Sequence, residues 1–272
     1  MLTFSLVVAT VGRTKELDTL FHSLAEQAYP QLECIVGDQN ADDRVERIVD
    51  RWRSALPLRR VTSTAGLSHS RNVGLALAKG DIVAFPDDDC WYTPGLLDYI
   101  EEWFQQHQDY DILAIGANDD AGLRSGNRWP QDVCDIKPLN ALRTTFCNSL
   151  FFRRASLPSN MEFDETFFPG EETDLVLRLL QGGLKGKFDR TWHVGHPRRD
   201  MLSGTVTPDR AMLYGRSIGQ LLRKHSLYVL WALLVSYDLL RALVVALTGR
   251  LKSASICLAH GRGIIMGILI KP

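Results

Sequence analysis

The sequence predicts an α/β fold in which helices flank a mostly parallel β-sheet. Along the first half of the chain, short apolar runs alternate with segments whose apolar residues recur at helical spacing. The polar residues Thr10, Asp38 and Asp87 come directly after predicted strands. Ligands of parallel α/β sheets bind beyond the carboxyl ends of the strands, so we expect these three residues at one edge of the sheet.

Each element of the first half follows from its own pattern. The predicted strands are the apolar runs at 3–9, 32–37, 58–62, 82–85 and 112–116. Three predicted helices each present one apolar face, formed by Leu17, Leu20, Phe21, Leu24 and Ala28, by Val45, Ile48, Val49 and Trp52, and by Leu96, Leu97, Ile100, Trp103 and Phe104. A further helix is predicted at 68–79, because Gly80 is favourable just after a helix.

The second half of the chain is predicted to begin with a long loop at 116–138, and long loops in compact domains are often functional. A strand is predicted at 147–153. Residues 170–174 (GEETD) then open a short apolar helix at 175–180, which ends at Gly182.

The charge of the chain is unevenly distributed. The formal net charge is −1 over 272 residues, which gives no indication of a nucleic-acid partner. Residues 197–272 contain 11 Lys and Arg against three Asp, a net charge of +8, which leaves −9 for residues 1–196. An acidic body followed by a basic tail suggests an anionic surface as partner.

The tail also contains two apolar stretches, at 227–248 and 254–270. The first is long enough to cross a bilayer, but Asp238 and Arg241 interrupt it. We therefore expect a helix that either spans a membrane or lies along its anionic surface. The alternative is two helices that pack against a soluble domain.

Asp87, Asp88 and Asp89 form a cluster of three consecutive carboxylates after an apolar run. Carboxylates this close repel one another, and a divalent cation relieves that repulsion. Oxygen ligands select hard ions such as Mg2+ or Mn2+. The alternative is a solvated acidic turn or a helix cap.

Two other motifs have both a functional and a structural interpretation. Glu171 and Glu172 begin a predicted helix, where they either complement the helix dipole or provide a general base for an acceptor hydroxyl. Arg71 lies in the first turn of a predicted helix, where it either contacts a phosphate or pairs with an acidic neighbour.

Five segments, in this order, resemble the motifs of the family 2 glycosyltransferases, which have the Rossmann-like GT-A fold. The segments are 5–13, 36–40 (VGDQN), 66–74 (GLSHSRNVG), 85–89 (FPDDD) and 170–174 (GEETD). They correspond to the family's opening strand and turn, its V-D-D-x-S and G-x-x-x-A-R-N-x-G nucleotide segments, its D-x-D metal motif and its G-E-D-x-D base motif. The chain departs from the family at the first turn, ATVGR instead of P-x-Y-N, and at Gln39 and Glu172, where Asp is usual. The resemblance covers residues 2–196.

The resemblance implies that the chain binds a nucleotide-sugar and a divalent cation, Mg2+ or Mn2+. It favours UDP as the nucleotide, with GDP and dTDP as alternatives. The implied metal ligands are Asp87, Asp89 and His196, with His193 as the alternative histidine. The implied donor-binding residues are Ala9, Thr10, Asp38, Arg71, Asp87 and Asp88.

The resemblance also implies an inverting transfer in a single displacement. Glu172 would take the proton from the acceptor hydroxyl, and Glu171 is the rival for this role. Because the acceptor attacks from the face opposite the leaving group, Glu172 is expected to lie across the donor sugar from Asp89.

The same resemblance implies a catalytic GT-A domain at 1–200, with a nucleotide-sugar half at 1–117 and an acceptor half at 118–200, followed by a membrane-associating helical tail at 201–272. The tail is similar to that of bacterial enzymes that build surface polysaccharides on lipid carriers. This implies a lipid-linked saccharide acceptor and a location at the cytoplasmic face of the bacterial inner membrane.

Two other functions stay open at this point. The changes at Gln39, Glu172 and the first turn are also compatible with a catalytically silent nucleotide-sugar-binding subunit of a membrane assembly. A nucleotidyltransferase on a related sheet would need a Gly-rich basic loop after the first strand, and residues 11–15 (VGRTK) offer one Gly.

Overall fold

The structure is a computed structural model that describes residues 1–125, 130–197 and 206–270. These residues form two compact units. The first comprises Met1–Glu165 and residues 175–197, and the second comprises Thr166–Asp174 and residues 206–270.

Over the described residues, the first unit is built on a nine-stranded sheet. In chain order the strands are β1 (Phe4–Thr10), β2 (Leu32–Asp38), β3 (Leu58–Thr62), β4 (Ile82–Ala84), β5 (Trp91–Tyr92), β6 (Ile112–Asn118), β7 (Cys134–Ile136), β8 (Leu150–Arg153) and β9 (Gly186–Gly195). The helices are α1 (Lys15–Glu26), α2 (Arg44–Trp52), α3 (Leu67–Leu75), α4 (Leu96–Gln106), α5 (Ala141–Thr144) and α6 (Glu171–Gln181).

The sheet has a parallel half and a mixed half. The strand order is β3-β2-β1-β4-β8-β6-β9-β5, and β7 pairs with β9. Strands β3, β2, β1 and β4 are parallel, as predicted. Strand β8 is antiparallel to both β4 and β6, while β6 and β9 are parallel. The predicted α/β class, a sheet flanked by helices, is confirmed. The antiparallel strand β8 makes the second half of the sheet mixed.

The strands of the parallel half are apolar, as strands that are buried on both faces of a sheet must be. All seven residues of β1 are buried, because a parallel sheet is covered on both faces. On α1, four residues of the predicted apolar face are buried: Leu17, Leu20, Phe21 and Leu24. The carboxyl ends of β1 and β2 are in register, with Thr10 opposite Asp38, so the polar residues after these strands meet at one edge.

Helix α3 ends at Leu75, earlier than the predicted end at residue 79. Gly80 therefore does not directly follow the helix. Its role is to let the chain approach β1, because a Cβ there would lie 2.6 Å from the Ser5 nitrogen. The Gly80 N–H donates to Ser5 Oγ at 2.7 Å, which aligns the start of β4 beside β1.

Strand β9 was not predicted from the sequence, although it is a ten-residue strand between β6 and β5. Its residues, GKFDRTWHVG, lack the apolar alternation of a typical strand. Pairing with β6 on one side and with β7 and β5 on the other supplies the hydrogen bonds that its composition does not suggest. The predicted strand at 147–153 is a 3-10 turn, Cys147–Ser149, followed by β8.

The second unit contains three helices, α7 (Pro208–Lys224), α8 (Tyr228–Leu247) and α9 (Leu251–Leu269), and α6 begins in it. Helices α8 and α9 coincide with the two predicted apolar stretches of the tail. Among the described residues, α8 alone is long and apolar enough to cross a membrane, with a mean hydropathy of 1.9. Only 11% of its most apolar window is buried within the structure, so α8 is not a core helix.

Glycines bring α7 and α9 into backbone contact. A Cβ at Gly215 would lie 2.1 Å from the His260 carbonyl oxygen, and one at Gly267 would lie 2.0 Å from the Arg216 carbonyl oxygen. Small residues spaced four apart are typical of helix pairs that pack closely in membranes.

The predicted boundary between the catalytic domain and the tail, at 200/201, lies outside the described residues. The division into domains at 1–200 and 201–272 stays a proposal. Within the described residues, Thr166–Asp174 groups with the tail helices, and this segment contains Glu171 and Glu172.

The close approach of α7 and α9 predicts the effect of adding one methyl group. In Gly263→Ala, the new Cβ would lie 2.3 Å from the Met212 carbonyl oxygen and 2.8 Å from the Arg216 nitrogen, and backbone atoms cannot rotate away. We expect a loss of about 1–3 kcal/mol in the free energy of unfolding, measured by urea titration in detergent. Ser255→Ala on the same helix is the control and should change little. An unchanged midpoint for Gly263→Ala would contradict the close packing.

Candidate functional site

The carboxyl ends of the parallel strands bring the predicted polar residues together. Thr10 ends β1, and its hydroxyl donates to Asp88 Oδ2 at 2.7 Å. Asp88 follows β4 and is 78 residues away in the chain. This bond joins the end of β1 to the acidic cluster Asp87–Asp88–Asp89.

Two carboxylates of this cluster are buried. Asp88 and Asp89 are each 6% exposed, whereas the Asp87 side chain is 30% exposed. Burial raises the pKa of Asp88, and the hydrogen bond from Thr10 and the charge of Arg13 offset part of that increase. The cluster therefore needs positive charge around it to stay ionised.

Arg13 supplies part of this charge, although no role was predicted for it from the sequence. Its Nη1 atom contacts Asp88 Oδ1 and lies 3.1 Å from Asp89 Oδ2. Burial by itself would lower the pKa of Arg13, but the two carboxylates outweigh it and raise the pKa. The only sequence signal was a basic residue in the loop after the first strand.

Arg71 supplies a second positive charge from the middle of α3. It is 2% exposed, and its Nη2 atom donates to Asp87 Oδ1 at 2.9 Å. Its guanidinium carbon also lies 5.5 Å from the centre of the Phe163 ring. Arg71 thus orients Asp87, as in the acid-pairing interpretation, and its contact with a nucleotide stays a prediction.

Asp87, Asp89 and His196 form the predicted group of metal ligands. Their ligand atoms all lie within 4.8 Å of one another. His196 Nε2 is 3.8 Å from Asp87 Oδ2 and 3.6 Å from Asp89 Oδ1. Ligand atoms around an octahedral Mg2+ are roughly 3.0–4.2 Å apart, so this group fits a divalent cation.

His196 is held in place from its other ring nitrogen. Its Nδ1 lies 3.0 Å from Ser125 Oγ, and its backbone N–H donates to the Asn118 carbonyl at 2.8 Å. A partner on the second nitrogen orients a metal-binding imidazole. His193, the alternative histidine, lies within β9, where burial lowers the pKa of its imidazole.

Asn148 is a further residue that the sequence analysis missed. It is 6% exposed and donates from Nδ2 to Asp87 Oδ2 at 3.3 Å. Within the described residues its Oδ1 atom has no hydrogen-bond partner. A buried acceptor without a partner is costly, and a bound ligand is one way to satisfy it. No sequence motif marked this position, which lies in a 3-10 turn.

Asp38 is fully buried at the end of β2. Its Oδ2 accepts from Arg60 Nε at 2.8 Å, and its Oδ1 accepts from the backbone and side chain of Asn40 at 2.9 and 2.8 Å. Asn40 in turn accepts from the Gly12 N–H at 2.8 Å. Asp38 therefore orders the loops after β1 and β2. Its contact with a nucleobase stays a prediction, as does a donor contact by the buried Ala9.

Glu171 and Glu172 are the first two residues of α6. Glu171 is 4% exposed, and its Oε2 accepts from the Gly170 N–H at 3.0 Å, so it has the structural role expected at a helix start. Glu172 is half-buried. This difference favours Glu172 over Glu171 as a base, while the placement of Glu172 opposite Asp89 stays a prediction.

Comparison with known proteins identifies related sequences. A family model described as Glycosyl transferase family 2 matches residues 5–156, more than half of the chain. The minor teichoic acid biosynthesis protein GgaB of Bacillus subtilis is 25% identical over 190 residues, which are 65% of this chain and 21% of GgaB. The chain spans between 21% and 52% of the length of the curated relatives that it matches.

Solved structures with the same fold include TarS 1-349 of S. aureus in complex with UDP-GlcNAc. Its TM-score is 0.63 at 22% identity, and the match covers 82% of this chain and 71% of that one. A mannosyltransferase from Pyrobaculum calidifontis, in complex with GDP-Man and Mn2+, has a TM-score of 0.62 at 14% identity. That match covers 98% of this chain and 73% of the mannosyltransferase. At these identities the likeness shows the fold.

The ligand group predicts which histidine affects metal binding. We expect His196→Ala to weaken Mn2+ binding at least about tenfold, because one of three converging ligands is lost. Asp89→Asn should weaken it as well. His193→Ala is the matched control and should bind like wild type. Titration calorimetry or the EPR signal of free Mn2+ measures the affinity. Equal effects of the two histidine variants would contradict the assignment of His196.

Proposed function

The chain belongs to glycosyl transferase family 2, and we propose that it transfers a sugar from a nucleotide-sugar to a hydroxyl of a lipid-linked saccharide in bacterial surface polysaccharide synthesis. Enzymatic glycosyl transfer follows from the family. The relation to a teichoic acid biosynthesis protein supports an envelope polysaccharide as the product class. The nucleotide-sugars bound by TarS and the Pyrobaculum mannosyltransferase support a nucleotide-sugar donor, and we propose UDP as its nucleotide.

The observation that carries the proposal is the convergence of Asp87, Asp89 and His196 at the strand ends. Two carboxylates and an imidazole suit Mn2+ or Mg2+. A cation held there would neutralise the charge that develops on the departing nucleoside diphosphate. Arg71 pairs with Asp87 and Arg13 pairs with Asp89, which holds the two carboxylates in place.

The donor is proposed to lie along the same edge. Its nucleotide would lie beside Asp38 and beside Ala9 and Thr10 at the end of β1. Its diphosphate would lie nearer to Arg71, Asp87 and Asp88. The unsatisfied Asn148 Oδ1 would accept a hydrogen bond from a hydroxyl of the bound donor.

Glu172 is proposed as the base of an inverting displacement. Its carboxylate would take the proton of the acceptor hydroxyl while the acceptor oxygen bonds to the anomeric carbon. The bond between that carbon and the diphosphate oxygen breaks at the same time, and the nucleoside diphosphate leaves with the bonding electrons. The capping bond of Glu171 to Gly170 supports Glu172 in this role.

The exposed face of α8 supports attachment to an anionic membrane. Nine of its large hydrophobic side chains are more than half exposed: Tyr228, Val229, Leu233, Tyr237, Leu239, Leu240, Leu243, Val244 and Leu247. Exposed apolar surface of this extent marks an interaction site. Arg250 and Lys252 follow α8 and are exposed, where they would meet anionic headgroups. We propose attachment at the cytoplasmic face of the bacterial inner membrane, where a lipid-linked acceptor would be presented.

Donor hydrolysis tests the catalytic assignment. Purified protein is expected to release nucleoside diphosphate slowly from one member of a panel of UDP- and GDP-sugars, with Mn2+ but not with EDTA. Glu172→Gln should lower the rate by about 10²–10⁴-fold, because it removes the base and keeps the shape. Glu165→Gln is the control and should keep wild-type activity. Full activity of Glu172→Gln would contradict the assignment of the base, and an absence of turnover with every donor would contradict the proposed function.

Vesicle flotation tests the membrane proposal. The double variant Leu240→Asp and Leu243→Asp is expected to lose binding to vesicles that contain phosphatidylglycerol, because two charges would enter the apolar face. Leu139→Asp, which changes an exposed leucine of the first unit, is the control. Equal flotation of both variants, or no flotation of wild type, would contradict attachment through α8.

A further inference from the structure

The start of α6 is held by the end of α7, within the second unit. Asp174 is fully buried in the first turn of α6, two residues after Glu172. Its Oδ1 atom lies 2.8 Å from Lys224 Nζ and 2.9 Å from His225 Nε2. Lys224 is the last residue of α7, and His225 is its C-cap residue.

Two more contacts fix the chain just before Glu172. The Ser217 hydroxyl of α7 donates to the Pro169 carbonyl. Lys224 Nζ also lies 5.0 Å from the centre of the Phe167 ring. Helix α7 therefore contacts the chain on both sides of Glu172, three residues before it and two residues after it.

The charges at this junction are arranged favourably. A carboxylate near a helix N-terminus and cations near a helix C-terminus are both stabilised by the helix dipoles. A buried carboxylate also needs nearby donors to stay ionised. Lys224 and the buried imidazole of His225, whose side chain is 2% exposed, supply them.

We propose that Lys224 and His225 are positioning residues for Glu172, so that the tail helix α7 sets the direction in which the base points. This inference rests on the proposed function, in which Glu172 is the base. The Glu172 side chain leaves the first turn of α6, and Asp174 is bonded in that same turn. A small rotation of the turn displaces the carboxylate, and a misplacement of about 1 Å can cost on the order of 10²-fold in rate.

A double-mutant cycle separates positioning from mere stability. The rate measured is Mn2+-dependent release of nucleoside diphosphate from the UDP- or GDP-sugar that wild type hydrolyses. The variants are His225→Ala, Lys224→Gln and Glu172→Gln, singly and in pairs. Arg223→Gln is the matched control, because Arg223 lies on the same helix and bonds instead to the Ile268 carbonyl at 3.0 Å.

We expect His225→Ala to lower kcat by roughly 10- to 100-fold, while the affinity for UDP with Mn2+ stays unchanged. His225→Gln, which keeps an N–H donor, should recover most of kcat. In the Glu172→Gln background, His225→Ala should cause no further loss, because it acts through the missing carboxylate. Arg223→Gln should resemble wild type.

Three results would overturn the inference. The first is a wild-type kcat in both His225→Ala and Lys224→Gln. The second is that His225→Ala lowers kcat in the Glu172→Gln background by as much as it does in wild type. The third is that a loss of UDP affinity and of melting temperature accounts for the whole decrease in rate. The proposed function fails in a different way, through the absence of wild-type turnover or through full activity of Glu172→Gln. The two failures are therefore distinguishable. If the proposed function fails, the inference fails as well, because it takes Glu172 as the base.

Discussion

The repulsion among the three consecutive carboxylates after β4 is the constraint on which the site depends. Asp88 and Asp89 are buried, so solvent cannot screen them, and each needs a nearby positive charge or hydrogen-bond donor. Arg13 reaches both from the loop after β1, and Arg71 reaches Asp87 from α3. An arginine keeps its charge at physiological pH, so both guanidinium groups offset the negative charge of the cluster. Oxygens of Asp87 and Asp89 lie close to His196 Nε2, in a group that could hold a cation.

The parallel half of the sheet makes this arrangement possible. Strands β1 and β2 end in register and β4 runs parallel beside β1, so loops that are far apart in sequence meet at one edge. The mixed half adds the remaining partners. Strand β9 ends at Gly195 and delivers His196, while the turn before β8 delivers Asn148. One edge of the sheet thus holds the side chains that we propose to bind a nucleotide-sugar and a cation.

The second unit has two roles in the proposed enzyme. Helix α8 presents an apolar surface that a membrane would cover, and glycines lock α7 against α9. Helix α7 also bonds to the segment that carries Glu171 and Glu172. These contacts are among those that group Thr166–Asp174 with the tail helices. In our proposal the tail therefore contributes to catalysis as well as to anchoring.

The parts of this protein that could be read from the sequence are those encoded locally. A short apolar run predicted β1, and helical spacing of apolar residues predicted α1. Consecutive Asp residues predicted a metal site, and the family resemblance added His196 to its ligands. Strand β9 could not be predicted, because its polar residues become a strand only through pairing with β6. The pairing of Arg13 with Asp88 and of Asn148 with Asp87 was equally hidden, since these partners are 75 and 61 residues apart. Short-range patterns determine which residues can do chemistry, whereas the sheet register and helix packing determine which of them meet, because hydrogen bonds and ion pairs act only at distances that folding sets.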